Sequence, residues 1–153
     1  MLQNRRIGDL VKAVRAGDNV AATAGGTGDN TAATGVVIDR AAIGWPKSAV
    51  LAVPYTAALA EDQTLEIAYT AEEGDASDLG DAATLASGSS VVATGGTGGS
   101  TETGCLEVDL DLEGAGRYVR VTLTPDLSAS GTDTAVDSYL RTRLGAHRTL
   151  ERE

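Results

Sequence analysis

The segment from Gly104 to Thr124 constrains the fold more than any other part of the chain. Its sequence, GCLEVDLDLEGAGRYVRVTLT, contains two runs of alternating apolar and polar residues, joined by a turn that holds Gly114 and Gly116. Alternation with a period of two places apolar side chains on one face of a β-strand and polar side chains on the other. The segment therefore predicts two strands, and the short glycine-bearing connection predicts that they pair as a β-hairpin.

Each run offers one apolar face to a core. The residues of that face share one parity: Leu106, Val108, Leu110 and Leu112 in the first run, and Val119, Val121 and Leu123 in the second. The intervening acids and arginines are expected to face water. In a hairpin, some of those acids would pair across the strands with Arg117 or Arg120.

Further strand signals recur along the chain, separated by turn-forming residues. Candidate strands span 35–39, 48–55, 64–72, 90–94, 104–112, 118–125 and 135–144, with another near Val20. The apolar 42% of the chain consists mainly of Ala, Val and Leu and contains no Phe, so the core should be thin, which suits packed sheets. We therefore expect an all-β fold, an antiparallel β-sandwich of which the jelly roll is one arrangement.

The chain is predicted to form one domain with two short ends. Residues 1–19 form an N-terminal arm, residues 20–146 the sandwich and residues 147–153 a C-terminal tail. Apolar residues at three- and four-residue spacing predict a short amphipathic helix over about 6–16 within the arm.

Two residues in or near the candidate strand at 48–55 carry structural expectations. Pro54 lies inside a strand run, which indicates an edge strand or a bend, because proline donates no hydrogen bond to a neighbouring strand. Trp45, the one tryptophan, precedes the same run and is expected to pack over one end of the core.

The charge is unevenly distributed. The formal net charge is −10, and no Lys or Arg occurs from Ser48 to Gly116, where thirteen acids fall. An acidic body repels nucleic acid. Both ends are basic instead, so the N-terminal arm is a candidate for docking on an acidic protein surface. The candidate binding residues of the arm are Arg5, Arg6, Ile7, Leu10, Lys12 and Arg15.

No motif predicts catalysis, a cofactor or a metal site. Asp109, Asp111 and Glu113 imitate the opening of a calcium loop, but the position of the bidentate carboxylate falls on Arg120. Cys105 is the one cysteine, so it forms no disulfide within the chain and is expected to be a buried, inert thiol. His147 has no nucleophile motif nearby. We expect a protein that is not an enzyme.

Nothing in the sequence predicts membrane insertion. No apolar run approaches the roughly 20 residues that a membrane-spanning helix needs. The N-terminus MLQNRRIGDL contains no signal-peptide core, so synthesis in a cytosol is expected.

Three segments together resemble a known group of proteins. They are residues 48–87, residues 116–136 beginning GRYVRVTLT, and LGAHR at 144–148. They are similar to small virion structural proteins of tailed bacteriophages, especially phages of alphaproteobacteria, and the resemblance covers about residues 35–148.

The resemblance implies a capsid decoration or cement protein made in the bacterial cytoplasm. Such a protein binds the major capsid protein on the outer surface of the head, as several copies around a symmetry axis, for which a trimer is one arrangement. Two alternatives remain open. One is a tail or neck component, such as a head completion or tail terminator protein. The other is a carbohydrate-binding module on the particle surface, which the scarcity of aromatic residues disfavours.

Overall fold

The computed structural model describes residues 11–131 and 133–136, and of Val136 only the backbone. Nine strands account for the regular structure of this part of the chain, together with a single 3₁₀ turn at Ala41–Ile43. The strands are β1 (Ala21–Thr23), β2 (Ala33–Thr34), β3 (Ile38–Asp39), β4 (Ser48–Leu59), β5 (Thr64–Gly74), β6 (Ala83–Thr94), β7 (Ser100–Asp111), β8 (Tyr118–Leu127) and β9 (Thr134–Val136).

The strands form two antiparallel sheets that pack face to face. The first sheet, sheet A, has the order β1-β9-β4-β7, and the second, sheet B, has the order β2-β8-β5-β6, with β3 also paired to β8. From β4 onward each strand lies in the sheet opposite its predecessor, except that β5 and β6 are neighbours in sheet B. These orders are those of a jelly roll. The predicted antiparallel sandwich is confirmed.

The predicted hairpin at 104–124 is wrong in its pairing. Both strands exist, but β7 pairs with β4 in sheet A, and β8 pairs with β5, β2 and β3 in sheet B. The residues between them, 112–117, therefore cross from one sheet to the other. Two strands that each bury one apolar face can face one another across a core about 10 Å thick instead of lying side by side.

The predicted pairing of arginines with the acids of β7 is wrong for the same reason. Arg117 binds Asp39 of β3, and Arg120 binds Glu72 of β5, each with a nitrogen-to-oxygen distance of 2.8 Å. Both carboxylates belong to sheet B, where β8 lies. Within the described residues, Glu113 of the crossing segment is the one acid from 107 to 113 that pairs with a cation, and its partner is Lys47.

The core is built from the inward faces of the two sheets, and it consists of small and medium aliphatic side chains, as predicted. Fully buried side chains include Leu51 of β4, Ile67 of β5, Leu110 of β7 and Leu123 of β8. The predicted parity holds in both alternating runs, because Leu110, Leu112, Val119, Val121 and Leu123 are buried and Leu106 and Val108 are half-buried.

The hydroxyl of Tyr55 links the sheets on the side where the two longest edge strands lie. Tyr55 is on the inward face of β4, and its hydroxyl donates a hydrogen bond to the carbonyl of Val92 in β6. Partial burial raises the pKa of this tyrosine, and the carboxylate of Glu102 raises it further. The contact fixes β6 to the opposite sheet.

The predicted N-terminal helix over 6–16 is wrong where the structure describes it. Residues 11–20 contain no helix, and residues 6–10 lie outside the described part of the chain. Ala16 is fully buried, and its carbonyl accepts a hydrogen bond of 2.8 Å from the amide of Val36. A helix this short is marginal alone, so pairing with the β2–β3 segment outweighs the helical spacing.

Gly35 makes this close approach geometrically possible. A Cβ added to Gly35 would lie 2.1 Å from the carbonyl oxygen of Ala16 and 2.5 Å from that of Val121. Only glycine fits between these two backbones. The arm therefore joins the body beside the edge of sheet B formed by β2 and β3.

The strand that contains Pro54, β4, lies between β9 and β7, so the predicted edge strand is wrong for β4 as a whole. Pro54 itself lies in a part of β4 that has one partner strand within the described residues. It pairs with Cys105 of β7 on one side of β4. On the other side, β9 pairs with β4 only from Thr56 to Ala58, so within the described residues no strand needs an amide from residue 54 there.

Arg40 holds together the loops at one end of the sandwich. Its side chain is 5% exposed, and its guanidinium donates hydrogen bonds to the carbonyls of Pro46, Leu112, Ala115 and Gly116. These carbonyls lie in the two loops that cross between the sheets after β3 and after β7. Burial lowers the pKa of Arg40, and the carboxylate of Glu73 opposes this effect.

Replacing Arg40 by Met is expected to lower the free energy of unfolding by about 3 kcal/mol or more, because the variant leaves several buried carbonyls without a donor. The matched change Arg120→Met removes a partly exposed ion pair and should cost less than about 1 kcal/mol. Urea unfolding followed by far-ultraviolet circular dichroism measures both. Equal losses in the two variants would contradict the role given to Arg40.

Candidate functional site

The loops of the jelly roll gather at two opposite ends of the sandwich. One end, called here the Arg40 end, contains the loops 40–47, 75–82 and 112–117. The other, called the Asp133 end, contains the loops 24–32, 60–63, 95–99 and 128–133. Exposed loops on a rigid scaffold are common binding sites, so both ends are candidates.

Acidic side chains brace the backbone at the Asp133 end. Asp133 is 2% exposed, and its Oδ1 accepts a hydrogen bond of 3.0 Å from the amide of Ala60. The two carboxylate oxygens of Asp29 accept hydrogen bonds of 2.8 Å from the amides of Gly25 and Leu127. A shallow, open depression runs past Asp133 between Leu59 and Ser100. These carboxylates act as structural acceptors for loop amides.

Trp45 is the largest exposed apolar side chain at the Arg40 end, and its predicted place over the core is wrong. The side chain is 54% exposed, and the Arg40 guanidinium carbon lies 5.6 Å from the centre of its ring. The backbone of Trp45 has φ 52°, and its amide donates to the carbonyl of Arg40. This turn directs the indole away from the core, which is already closed by aliphatic side chains.

The outer face of sheet A is acidic along β7. Glu107, Asp109 and Asp111 alternate with the inward residues and are exposed. Their partners across β4 are Ala52, Val50 and Ser48, which carry no charge. Asp109 and Asp111, which imitate the opening of a calcium loop in sequence, therefore lie in a regular strand. Within the described residues, no group of three or more candidate metal ligands is present.

Within residues 20–131 and 133–136, the cations of the body are either paired with a carboxylate or buried. Lys47, Arg117 and Arg120 each face a carboxylate, and Arg40 is buried. Local pairing thus leaves the surface of the described sandwich strongly acidic in character. A surface of this kind disfavours approach to nucleic acid phosphates.

Of the six predicted binding residues, Lys12 and Arg15 lie in the described part of the arm. Both are exposed. Arg15 pairs with Asp18 and donates from Nε to the carbonyl of Gly17, whereas Lys12 makes no ion pair within residues 11–131. The other four, Arg5, Arg6, Ile7 and Leu10, lie outside the described residues.

Cys105 is exposed, so the prediction of a buried thiol is wrong. Cys105 lies on the outward face of β7, and the residue paired with it on β4 is Pro54. Partial desolvation raises the pKa of the thiol, and the neighbouring carboxylate of Glu107 raises it further. A raised pKa lowers the fraction of reactive thiolate.

No protein-family model matches the chain, and no curated protein matches it. Among solved structures, the chain is similar to a chain of "Structure of infectious bursal disease virus Gt strain", at 10% sequence identity and a TM-score of 0.35. The alignment covers 88% of this chain and 34% of the viral chain, so the chain spans about a third of that protein's length. A likeness at this level carries no argument about function.

No helix in the described residues is long and apolar enough to cross a membrane.

The thiol of Cys105 is expected to react with iodoacetamide half-maximally at a pH above that of a free cysteine, because its thiolate is disfavoured. Glu107→Gln should move that midpoint down, while Asp111→Asn should leave it in place. The measurement is the alkylation rate as a function of pH. A midpoint below that of free cysteine would show an activated thiol and contradict the assignment.

Proposed function

We propose that this chain is a structural protein of a tailed-phage virion, and specifically a decoration or cement protein that binds the outer surface of the head. The observation that carries the proposal is the division of the chain into an acidic jelly-roll body and a basic arm that leaves the body at one edge. The resemblance of residues 48–87 and 116–136 to small phage virion proteins points the same way.

The body suits a structural role. Viral capsid proteins and lectins are among the proteins that use jelly rolls, although the fold alone does not decide function. The polar groups that are buried in the loops, Arg40 and Asp133, bind backbone atoms. The chemistry of the described residues thus favours a rigid module over a reaction site.

The arm suits an adhesive role. Its attachment point is fixed, because Ala16 is buried and bonded to Val36. The first fifteen residues contain four cations, Arg5, Arg6, Lys12 and Arg15, and one acid, Asp9. A short basic segment tethered to a rigid body gains affinity for an acidic surface by adding ionic contacts. The proposed partner is the major capsid protein, with the acidic body turned toward solvent.

The test uses purified heads that lack this chain. The triple variant Arg5→Gln, Arg6→Gln, Lys12→Gln is expected to bind about tenfold more weakly than the natural sequence, because each exposed ionic contact contributes up to about 1 kcal/mol. Cosedimentation of the full chain with heads measures the binding. Raising the salt concentration should weaken binding of the natural sequence as well.

The matched control is Arg141→Gln, Arg143→Gln, Arg148→Gln, which removes the same charge from the C-terminal end. It should bind as the natural sequence does. Equal weakening by both triple variants would overturn the assignment to the arm. Absence of binding by the natural sequence, or labelling of virions only at one vertex or along the tail, would overturn the decoration role.

A second candidate function, carbohydrate binding on the particle surface, is favoured by the exposure of Trp45. Its ring lies beside the charged guanidinium of Arg40. The loop that carries Trp45 is held by the hydrogen bond from Arg40 to the carbonyl of Pro46. Sugar rings commonly stack on aromatic faces of this kind. Trp45 is the one tryptophan in the chain, so a sugar that stacks on an indole has one candidate residue.

Saturable binding on a glycan array that is lost in Trp45→Ala and kept in Val91→Ala is the result expected of this second function. Val91 serves as the control because it has the same 54% exposure and lies on β6. An array with no saturable signal, or a signal that Trp45→Ala leaves unchanged, would contradict carbohydrate binding at this residue.

A further inference from the structure

The edge strand β6 carries none of the charges that protect edge strands in most proteins. In the described residues β6 pairs only with β5, so one row of its backbone groups is open. Its twelve residues, ATLASGSSVVAT, include no charged residue and no proline. An open edge of this kind is a template for pairing with another strand.

The other edges of the sandwich are protected. The long edge strand β7 contains Glu102, Glu107, Asp109 and Asp111, so two copies of it would repel each other. The strands β1, β2 and β3 are only two or three residues long. The arm also covers the segment between β2 and β3 through the bond from Val36 to Ala16.

The middle of β6 is regular and lined by small side chains. The register between β5 and β6 shifts at two points of β5, between Leu65 and Glu66 and between Ala71 and Glu72. Between these points the register is uniform, and this part of β6 comprises residues 86–91. Gly88 lies opposite the inward-facing Tyr69, while Ser87 and Ser89 face outward and are exposed. The stretch 86–91 is therefore a straight edge with little steric bulk.

We propose that two copies of this chain pair through β6, as antiparallel strands related by a two-fold axis, to form one continuous sheet across both molecules. A strand opposed to itself in antiparallel fashion satisfies a two-fold axis without a second type of contact. A chain of net charge −10 repels itself over most of its surface. The uncharged stretch 86–91 is where two copies can approach most closely.

The exposed apolar surface of β6 also favours this partner. Val91 is 54% exposed on the outer face of sheet B, and pairing would bury part of it. Tyr55 holds β6 in place through the carbonyl of Val92, so the edge is ordered before it pairs. The inference does not rest on the proposed virion role, because β6 and the attachment of the arm at Ala16 lie at opposite edges of sheet B.

Sedimentation velocity of the full chain across the micromolar range tests this pairing. The natural sequence should sediment as a dimer of the 15.5 kDa chain at the upper end of the range. The variant Ser87→Lys, Ser89→Lys should raise the dimer dissociation constant about tenfold or more, because it opposes lysines across the axis. This variant is less negative than the natural chain, so general repulsion cannot explain a loss of pairing.

The matched control is Thr101→Lys, Thr103→Lys, which places the same charges on exposed, outward-facing positions of the β7 edge. It should leave the dimer intact. Hydrogen exchange of the natural sequence adds a readout without mutation, since amides in 86–91 should become more protected as concentration rises. A monomer throughout the range, or a dimer that the β6 variant leaves intact, would overturn the inference.

Discussion

The guanidinium of Arg40 is the interaction on which one end of this molecule depends. In a jelly roll, nearly every connection runs from one sheet to the other. The carbonyls of such a crossing loop lie outside the strands and therefore receive no hydrogen bond from a neighbouring strand. Here the loops after β3 and β7 meet, and a single planar cation donates to four of their carbonyls. A buried carbonyl without a donor is costly. Arg40 thus makes the crossing of β7 into β8 compatible with a closed core.

The faces of the strands could be predicted from sequence, but their partners could not. The alternation of apolar and polar residues predicts that Leu110 and Val121 are buried, because the face on which a strand residue lies depends only on its position along that strand. The same pattern serves equally for two strands side by side and two strands facing each other, so the predicted hairpin at 104–124 became a crossing between sheets. The strand part of 83–89 was missed because Ser, Gly and Thr show no alternation.

The residues of the candidate sites were harder to predict. Nothing local distinguishes Arg40 from an exposed arginine at the end of a strand, and its burial follows from two loops distant in sequence. The sequence predicts that Trp45 packs over one end of the core because tryptophan is usually packed, but the turn that exposes it depends on a positive φ. Three parts of the molecule differ in charge: an acidic body, a neutral edge at β6 and a basic N-terminal arm, which is attached through Ala16 beside β2 and β3. The proposed function gives the body to solvent and the arm to the shell, and the inferred pairing gives the β6 edge to a second copy.

The measurement that tests the central claim most directly is the amount of this chain in purified virions, relative to the major capsid protein, by quantitative mass spectrometry. A decoration protein repeats with the lattice of the shell, so the expected copy number is comparable with that of the capsid protein. A handful of copies per particle would place the chain at a connector or tail and contradict the account.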